Sequence, residues 1–590
     1  MAASVQGAPE HRSERPRTAA SEERRAQRSD GVPRGDSRRS WYRLGVPAQG
    51  LTPAVRDQIA KLGHADIMVG IPSFKNAATI GYVVRAAQAG LVQYFPDLRP
   101  VLVNSDAGSP DGTGRVVIET EPPDYIEQIL LTRPTNKLSR VSLTYPEIDG
   151  VGGKGAALRT IFEIAAALEV EALVVVDSDL RSIIPEWIEL LAGPILKGGY
   201  DYVAPLYARY KYDGTITNTV TYPLTRALYG NRIRQPIGGD FGVSGDLVKH
   251  YLSLDDWTDD ISKFGIDIWM TTSALTGGFA VCQARLGAKV HDPKDPGADL
   301  GPMFRQVVGT ILRLAATHPD NWLAIQGSHD IPAYGFERII DPPPLEVNTL
   351  RLLTEFHSGS LTLSETWRGM FAPQNLDTVL VLAREAGKLV DTARARLGIA
   401  GDGSSTTATT VEMADALAAF HFPDDLWARL IYDLVICARS EDPPIEHLVA
   451  ALVPSYFGRG GSFIIENRHQ TTDQAEDRVE RQAREFELLK PYLVDRWEAS
   501  VAAIGPNRDT TVARGVTGAK GATGAKGATG AKGATAAKGA TAASRSAPKG
   551  ATGVRGTTAA ARPAPNADSN GSSPQRAPKP RRRNATGPTR

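Results

Sequence analysis

Between residue 66 and about residue 300, short apolar segments alternate with segments of helical periodicity. The predicted strands are 66–74, 99–106 and 171–179, and the predicted helices are about 77–89, 153–169 and 185–196. Alternation at this spacing predicts an α/β domain with a mostly parallel sheet that helices cover on both faces. Ligands of such sheets bind at the carboxyl ends of the strands. Several polar motifs of this chain fall at those ends.

Beyond about residue 340 the pattern changes from alternating to helical, after three consecutive prolines at 342–344. The segments with helical periodicity are 376–397, 410–420, 424–439, 444–453 and 472–501. They predict a helical C-terminal region that packs on the first domain or mediates self-association as a homo-oligomer. The predicted organisation is a disordered arm at 1–40, the α/β domain at 41–340, the helical domain at 341–508 and a low-complexity basic tail at 509–590.

Both ends of the chain have compositions that do not support a packed core. Residues 1–40 contain hardly any large apolar side chain, too few to offset the entropy of ordering. From 515 to 533 every third residue is glycine, but about six triplets without proline are too few for a stable collagen helix. A flexible basic tail is the main interpretation. The alternative is contact with a polyanion through Lys520, Lys526, Lys532 and 581–583.

The formal net charge of +1 hides a charge asymmetry along the 590 residues. Residues 1–40 carry +3 and residues 509–590 carry +13, so the body at 41–508 carries −15. An acidic body excludes a uniformly basic nucleic-acid-binding domain. Two cysteines exclude a disulfide framework or a cysteine-rich zinc site. No apolar run is long enough to span a membrane and the N-terminus has no apolar signal region, so a cytoplasmic protein is expected.

The motif LVVVDSD at 173–179 is the strongest local indication of chemistry. Four apolar residues place Asp177 and Asp179 at the end of a strand, with both carboxylates on one side and Ser178 on the other. Paired carboxylate oxygens there suit Mg²⁺ or Mn²⁺ that bridges to a diphosphate. The alternative is an acidic turn that caps the following helix.

Three further motifs follow predicted strands or precede predicted helices. In IPSFKNAATI (71–80), backbone amides and a helix start are expected to favour an anion. NSDAGSPDGT (104–113) places Asp106 at a second strand end, although a turn rich in Asp, Asn and Gly has the same pattern. GVGGKGAAL (150–158) places Lys154 before a helix as a cation for phosphate, but its spacing is not that of a P-loop.

The order of these motifs resembles the nucleotide-sugar-binding half of GT-A glycosyltransferases of the family 2 type. The following segments are similar to the family 81 branch, which contains glucosyl-3-phosphoglycerate synthases and glucosylglycerate synthases. They are YDYVAPLYARYKYDGTITNTVTYPL (200–224), RQPIGGDFGVS (234–244), FGIDIWMTT (264–272) and CQARLGAKVHDP (282–293). The resemblance covers roughly residues 66–320 and rests on seven or eight motifs in the same order.

The resemblance implies a role for each matching residue on the donor side. Ile71, Pro72 and Ser73 would line the nucleotide, Asp106 would meet the base, Lys154 would approach the diphosphate, and Asp177 with Ser178 would lie along the sugar and ribose. Asp179 and His291 would hold Mg²⁺ or Mn²⁺. A lone histidine is more often a surface or core residue, and only the match of RLGAKVH to the family motif indicates a ligand here.

On the acceptor side, the resemblance implies that YKYDGTITN (210–218) binds the acceptor. Gly214, Thr217 and Asn218 would supply amide and hydroxyl donors, and Arg209 and Lys211 would add charge-assisted bonds. We also expect a hairpin with its turn at 213–214. Asp240 and, less securely, Asp267 match acidic residues near the sugar hydroxyls and acceptor. The loop has fewer glycines and arginines than in the relatives that use phosphoglycerate, which favours free glycerate.

The implied reaction is retaining transfer of glucose from UDP-, GDP- or ADP-glucose to D-glycerate or 3-phosphoglycerate. The product would be a compatible solute of the glucosylglycerate type or its phosphorylated precursor. Transfer of mannose or glucose to another small hydroxy acid is the alternative within this class. A nucleotidyltransferase would need a glycine-rich loop after the first strand, which IPSFKNAATI lacks. A non-catalytic scaffold that binds nucleic acid through the basic tail is the second rival.

Overall fold

A single eight-stranded sheet forms the centre of the first half of the described chain. The computed structural model describes residues 51–121, 138–144, 152–290, 300–337, 342–399, 406–440 and 442–504. Its strands are β1 (Ile67–Ser73), β2 (Pro100–Asp106), β3 (Ser139–Thr144), β4 (Ala172–Val175), β5 (Tyr202–Ala208), β6 (Phe241–Ser244), β7 (Val281–Ala288) and β8 (Ala333–Tyr334). Their order is β3-β2-β1-β4-β6-β5-β7-β8, and only β6 runs antiparallel to its neighbours. The predicted, mostly parallel sheet is therefore confirmed.

Helices follow most strands and then dominate the second half of the described chain. In the first half they are α1 (Pro53–Leu62), α2 (Ile80–Tyr94), α3 (Thr113–Glu119), α4 (Lys154–Ala167), α5 (Glu186–Gly198), a π-helix (Thr217–Thr221), α6 (Tyr222–Tyr229), α7 (Gly245–Ser253), α8 (Ile266–Thr276), α9 (Leu300–Thr317) and α10 (Asp320–Leu323). In the second half they are α11 (Thr349–Thr362), α12 (Ser364–Arg368), α13 (Pro373–Leu397), α14 (Thr410–Ala416), α15 (Asp424–Cys437), α16 (Ile445–Asn467), α17 (Thr472–Leu488) and α18 (Lys490–Ile504).

Both faces of the sheet are buried, which explains why its central strands are apolar throughout. Every residue of β1, β2 and β4 is buried. Along β1, Ile67 and Val69 belong to the apolar cluster formed with α2 and α5, whereas Met68 belongs to the cluster formed with α4 and α7. Successive side chains of a strand point to opposite faces, so a strand covered on both sides has no polar positions.

The helical region shares one apolar core with helices of the α/β part. Leu224 of α6 and Val308 of α9 lie in the same buried cluster as Leu353 of α11 and Leu430 of α15. The described residues therefore form one compact unit. The predicted boundary near residue 340 stays a prediction, and the predicted arm at 1–40 and tail at 509–590 lie outside the described residues.

The helix predicted at 444–453 is too short, because α16 continues through Pro454 to Asn467. Tertiary packing compensates for the proline. Gly359 of α11 lies so close that a Cβ there would sit 2.5 Å from Pro454, and a Cβ on Gly458 would sit 2.7 Å from Phe356. This helix is also the one described helix that is long and apolar enough to cross a membrane, yet 83% of its most apolar window is buried inside the protein.

Close approach of α5 to the sheet requires glycine at position 242 in β6. A Cβ on Gly242 would lie 2.1 Å from the carbonyl oxygen of Leu191, which is backbone and cannot rotate away. We expect Gly242→Ala to lower the free energy of unfolding by roughly 1–3 kcal/mol through overpacking, measured by urea and thermal denaturation. Gly193→Ala, where the nearest atom is at 3.9 Å, is the matched control in α5. Equal unfolding midpoints for the two variants would contradict this account.

Candidate active site

A cavity of about 1210 Å³ opens at the carboxyl ends of the strands. Ser73 at the end of β1, Asp177 after β4, Arg209 after β5 and Lys289 after β7 all line it. Parallel strands bring these chain ends to one edge of the sheet, so residues that are distant in sequence converge. The helical region forms the far wall of the same cavity.

Asp177 is held between two lysines. Its Oδ1 lies 2.9 Å from Lys154 Nζ, and its Oδ2 accepts from Lys289 Nζ at 2.7 Å. Lys154 also donates to Asp267 Oδ2 at 3.1 Å. Lys289 in turn donates to Asp240 Oδ2 at 2.8 Å. The five side chains form one alternating network of acidic and basic groups at the floor of the cavity.

Asp240 lies below the cavity floor, has no exposed surface and stabilises this network through three hydrogen bonds. Its Oδ1 accepts from the backbone amide of Asp177 at 2.8 Å, and the Tyr207 hydroxyl donates to its Oδ2. It does not line the cavity. Gly239 beside it has φ +92°, and a Cβ there would lie 2.4 Å from Asp177 Oδ2, so only glycine fits. Its contacts in the structure are with Asp177 and Lys289, and its predicted place near the sugar and acceptor stays a prediction.

Charge pairing separates the pKa values of the buried carboxylates. Burial raises the pKa of Asp177, but Lys154 and Lys289 outweigh it and hold the pKa well below its usual range. Burial also raises the pKa of Asp267, and there Lys154 compensates only in part, so the pKa stays above its usual value. Burial lowers the pKa of Lys154, but Asp177 and Asp267 outweigh it, and this ammonium stays charged at neutral pH.

Asp267 has one oxygen free to accept a hydrogen bond. Lys154 binds Oδ2, whereas the buried Oδ1 has no hydrogen-bond partner in the structure. The side chain lines the cavity. Because a buried polar atom without a partner costs free energy, this oxygen is suited to accept from a hydroxyl of a bound molecule.

Asp179 lines the cavity and has no hydrogen bond or ion pair within the described part of the chain. It is therefore a free carboxylate beside the network, suited to a hard divalent cation whose other ligands are diphosphate oxygens and water. The described ranges contain no group of three metal-ligating side chains. His291 lies outside the described residues. The residue before it, Val290, donates to Ser182 Oγ at 2.9 Å and accepts from Arg181 N at 2.8 Å, close in sequence to Asp179.

The loop after β1 does not offer its backbone amides to an anion, contrary to our expectation. Side chains already satisfy them: Lys75 N donates to Ser109 Oγ at 2.8 Å, Asn76 N to Thr113 Oγ1 at 3.0 Å and Ala77 N to Asp111 Oδ2 at 3.1 Å. The first amides of α4 are likewise bound by the carbonyls of 262 and 263. The amides of 75–77, 155 and 156 are therefore already paired within the protein.

Only some of the residues predicted to bind the nucleotide line the cavity. Pro72, Ser73 and Ser178 line the cavity, whereas Ile71 and Asp106 do not. The Asp106 carboxylate is buried and accepts from Ser73 Oγ at 2.9 Å and Ser109 Oγ at 2.6 Å. These bonds link the ends of β1 and β2, and the predicted contact of Asp106 with the base stays a prediction. The Ser178 hydroxyl donates to Asn76 Oδ1 at 2.8 Å.

The predicted acceptor loop makes a turn but not the expected hairpin. Gly214 has φ +70°, and the chain then enters the π-helix instead of a returning strand. Arg209, Gly214 and Thr217 line the cavity. The guanidinium of Arg209 donates to Asp213 Oδ2 at 3.2 Å through Nη1, while its buried Nε has no partner.

Neither Lys211 nor Asn218 lines the cavity, and Lys211 binds the helical region instead. Lys211 Nζ donates to the carbonyls of Asn467, Arg468 and Gln470 at 2.9, 3.2 and 2.8 Å. Cations are stabilised at a helix C-terminus, which explains the placement after α16. Asn218 accepts from Arg234 Nη2 at 2.8 Å. These two side chains therefore anchor the acceptor loop.

Sequence reasoning missed Lys289, Tyr207 and Asn76. Lys289 lies within the RLGAKVH motif and Asn76 within IPSFKNAATI, but those motifs were interpreted through the histidine and the backbone amides, and neither side chain was assigned a role. Their roles depend on contacts with residues that lie far away in the chain, such as Asp177 and Ser178. A lysine after a strand carries no local signal for such a contact.

The mostly parallel sheet, the ion network at its edge and the helical C-terminal region define a mixed α/β protein, as predicted. No family model matches the chain, and no curated protein matches its sequence. Matching solved structures include those of glucosyl-3-phosphoglycerate synthase from Mycobacterium tuberculosis.

The complex of that enzyme with Mg²⁺ and UDP is 26% identical, with 43% of this chain and 82% of that chain covered and a TM-score of 0.32. A complex with Mn²⁺, UDP-glucose and glycerol 3-phosphate is 27% identical, with 44% and 83% covered and a TM-score of 0.33. A complex with Mn²⁺, UDP and glucosyl-3-phosphoglycerate is 25% identical, with 48% and 94% covered and a TM-score of 0.32.

Removal of Lys289 should destabilise the fold in a pH-dependent way. Lys289→Met leaves Asp177 and Asp240 without their shared cation, and breaking a buried pair costs about 3–5 kcal/mol at neutral pH. The pKa of both carboxyls rises in the variant, so protonation relieves the repulsion as the pH falls. Lys289 itself stays charged between pH 5 and 8, because Asp177 and Asp240 raise its pKa above the usual value despite burial.

The stability deficit of Lys289→Met should therefore be larger at pH 8 than at pH 5 in urea unfolding. Lys249→Met, which removes a lysine from an exposed pair with Asp246, is the control and should have no such pH dependence. A deficit that is constant with pH would contradict the assignment of the two carboxylates.

Proposed function

We propose that this protein is a retaining, metal-dependent glycosyltransferase that moves glucose from a nucleoside diphosphate glucose to D-glycerate or 3-phosphoglycerate. The observation that carries the proposal is the arrangement of the DSD motif. Asp177 is paired with Lys154 and Lys289, and Asp179 is free beside it, in one cavity at the carboxyl ends of the strands. This is the arrangement that a nucleotide-sugar site requires, with a phosphate cation and a metal carboxylate side by side.

On the donor side, Pro72 and Ser73 are the residues proposed to line the nucleotide. Lys154 would donate to a diphosphate oxygen, because its pKa keeps it charged at neutral pH. The unpaired Oδ1 of Asp267 would accept from a hydroxyl of the sugar or the acceptor. The proposed donor is a uridine, guanosine or adenosine diphosphate glucose, since Lys154 and Asp267 would contact the phosphates and hydroxyls that all three share.

The residues present fit a bound Mg²⁺ or Mn²⁺. Asp179 would hold it together with His291, and oxygens of the diphosphate would complete its coordination. When bound, the cation supplies positive charge that stabilises the departing nucleoside diphosphate. Asp177 would not be a ligand of first choice, because both of its oxygens already bind lysines.

For the acceptor, the structure favours a single anionic group. Of the two predicted cations in the loop, Lys211 is committed to carbonyls after α16, which leaves Arg209 at the cavity with a free Nε. One guanidinium, already shared with Asp213, is better matched to a carboxylate than to a carboxylate and a phosphate together. Free glycerate is therefore favoured over 3-phosphoglycerate, with another small hydroxy acid as the alternative.

The proposed reaction is front-face substitution at the anomeric carbon. The bond between that carbon and the β-phosphate oxygen breaks, a bond to the acceptor hydroxyl oxygen forms on the same face, and the hydroxyl proton passes to the leaving phosphate oxygen. The buried Asp240 and the doubly paired Asp177 are unsuited to act as nucleophiles. Rate enhancement would come from positioning and from the charges of Lys154 and the cation.

The first test is a panel of donors and acceptors read as nucleoside diphosphate release. UDP-, GDP- and ADP-glucose and GDP-mannose are each combined with D-glycerate and 3-phosphoglycerate, in the presence of Mg²⁺ or Mn²⁺. We expect release with one glucose donor, loss of release after chelation, and a loss of at least about 100-fold in Asp179→Asn. Asp246→Asn, at an exposed acid in α7, is the control.

Release that is unchanged in Asp179→Asn would remove Asp179 from the metal site. Absence of nucleoside diphosphate release with every combination of donor and acceptor would exclude the proposed acceptors. The nucleic-acid-binding scaffold would be favoured instead if the full chain has no turnover and deletion of 509–590 abolishes its binding to nucleic acid.

Two cations of the acceptor loop should respond differently to substitution. Arg209→Gln removes the proposed carboxylate partner and should raise the KM for glycerate by roughly 10–100-fold, the value of a charge-assisted bond. Lys211→Gln removes bonds to carbonyls after α16, so we expect a lower unfolding midpoint and a much smaller change in KM. Steady-state kinetics and thermal unfolding of both variants check this. The reverse pattern would assign the acceptor to Lys211.

A further inference from the structure

The cavity extends beyond the acceptor loop along an apolar wall. The side chains of this wall come from the segment after residue 341, from α11 and from α16, and they are Leu345, Val347, Leu352, Tyr456, Phe457 and Ile464. Tyr210, Tyr212 and Ile216 of the acceptor loop face the same space. We call this end of the cavity the apolar subsite.

A small hydroxy acid would leave this wall uncovered. Glycerate consists almost entirely of carboxylate, hydroxyl and two short carbons, and its anion would bind at Arg209. Each Å² of apolar surface that a ligand removes from water contributes roughly 25 cal/mol to its binding free energy. Glycerate would remove little of the apolar surface of this wall.

Gly460 provides independent evidence that the subsite is open space. It lies in α16 and is buried, yet apart from its chain neighbours and the nearby backbone of its own helix, no described atom lies within 4 Å of the position that a Cβ would take. A buried helical glycine normally marks close packing, as Gly458 and Gly461 do against Phe356 and Leu353. Gly460 instead lines the cavity and leaves it wide at this point.

Two buried polar atoms without partners border the same space. The hydroxyl of Tyr212, a residue that is 3% exposed, has no hydrogen bond in the structure, and neither has Nε of Arg209. Both residues line the cavity. Such atoms are normally paired, so the described residues leave two unsatisfied polar groups between Arg209 and the wall.

We propose that the acceptor site also takes hydroxy acids with an apolar substituent, and binds them more tightly than glycerate. Their carboxylate binds Arg209, their hydroxyl faces the sugar beside Asp267, and their substituent packs in the apolar subsite against Leu352 and Phe457, which are half-buried at the cavity. This inference rests on the proposed glycosyl transfer and names the acceptor class of the same site.

The test compares hydroxy acids that differ only in their apolar substituent. With the glucose donor that is active in the panel above, lactate, 2-hydroxyisocaproate and 3-phenyllactate are measured as acceptors and as competitive inhibitors against glycerate. We expect the KM or inhibition constant to fall at least about tenfold from lactate to 3-phenyllactate.

Filling the subsite from Gly460 should reverse that preference. In Gly460→Leu the constant for 3-phenyllactate should rise at least about tenfold relative to that for lactate, and Gly460→Ala should have an intermediate effect. Leu352→Asn provides a second variant if Gly460→Leu does not fold. Leu361→Asn on the same helix α11, exposed and outside the cavity, is its matched control.

The possible outcomes separate this inference from the proposed function. Turnover of glycerate with no preference for the larger acids, in the wild type and in Gly460→Leu alike, would overturn the apolar subsite and leave the transferase standing. Turnover of 3-phenyllactate in preference to glycerate would support the subsite. Absence of diphosphate release with every acceptor, together with no binding of the donor, would overturn both.

Discussion

The site depends on the double pairing of one carboxylate, Asp177, with two buried lysines. Neither Lys154 nor Lys289 is stable as an isolated buried charge, because desolvation of an ammonium costs several kcal/mol unless an anion lies against it. Strand β4, which ends two residues before Asp177, brings the anion to both. Asp240 and Asp267 then extend the network on either side. The network leaves Asp179 as the carboxylate with no protein partner in the described chain.

The second half of the chain is part of the same site, although its helices contain none of the transferase motifs. Tyr456 hydrogen-bonds to Thr215 at 2.6 Å, Gln482 donates to the carbonyl of Asn218 at 2.8 Å, and Trp427 donates to that of Thr219 at 2.7 Å. These bonds hold the acceptor loop and the π-helix from the side of the helical region. The acceptor end of the cavity is therefore shaped by residues more than 200 positions away in sequence.

The residues proposed for the donor were easier to bring together from the sequence than those proposed for the acceptor, for a physical reason. Lys154, Asp177 and Asp179 follow strands or begin a helix, so the order of elements along the chain places them at one edge. The acceptor loop ends in a π-helix that only contacts with α15, α16 and α17 explain. Lys211 has the residue type of an anion ligand, but the carbonyls after α16 compete for it and bind it.

Local pattern alone determined that this chain forms a buried parallel sheet with acidic and basic groups at its carboxyl ends. Hydrophobic periodicity and the positions of Asp177 and Asp179 after an apolar run suffice for that, since both are properties of neighbouring residues. Only the tertiary structure decided three further features. These are the carboxylate that stays free, the lysine that reaches the cavity and the width of the cavity at Gly460. Those features depend on distances between residues that are far apart in sequence, and no local pattern records them.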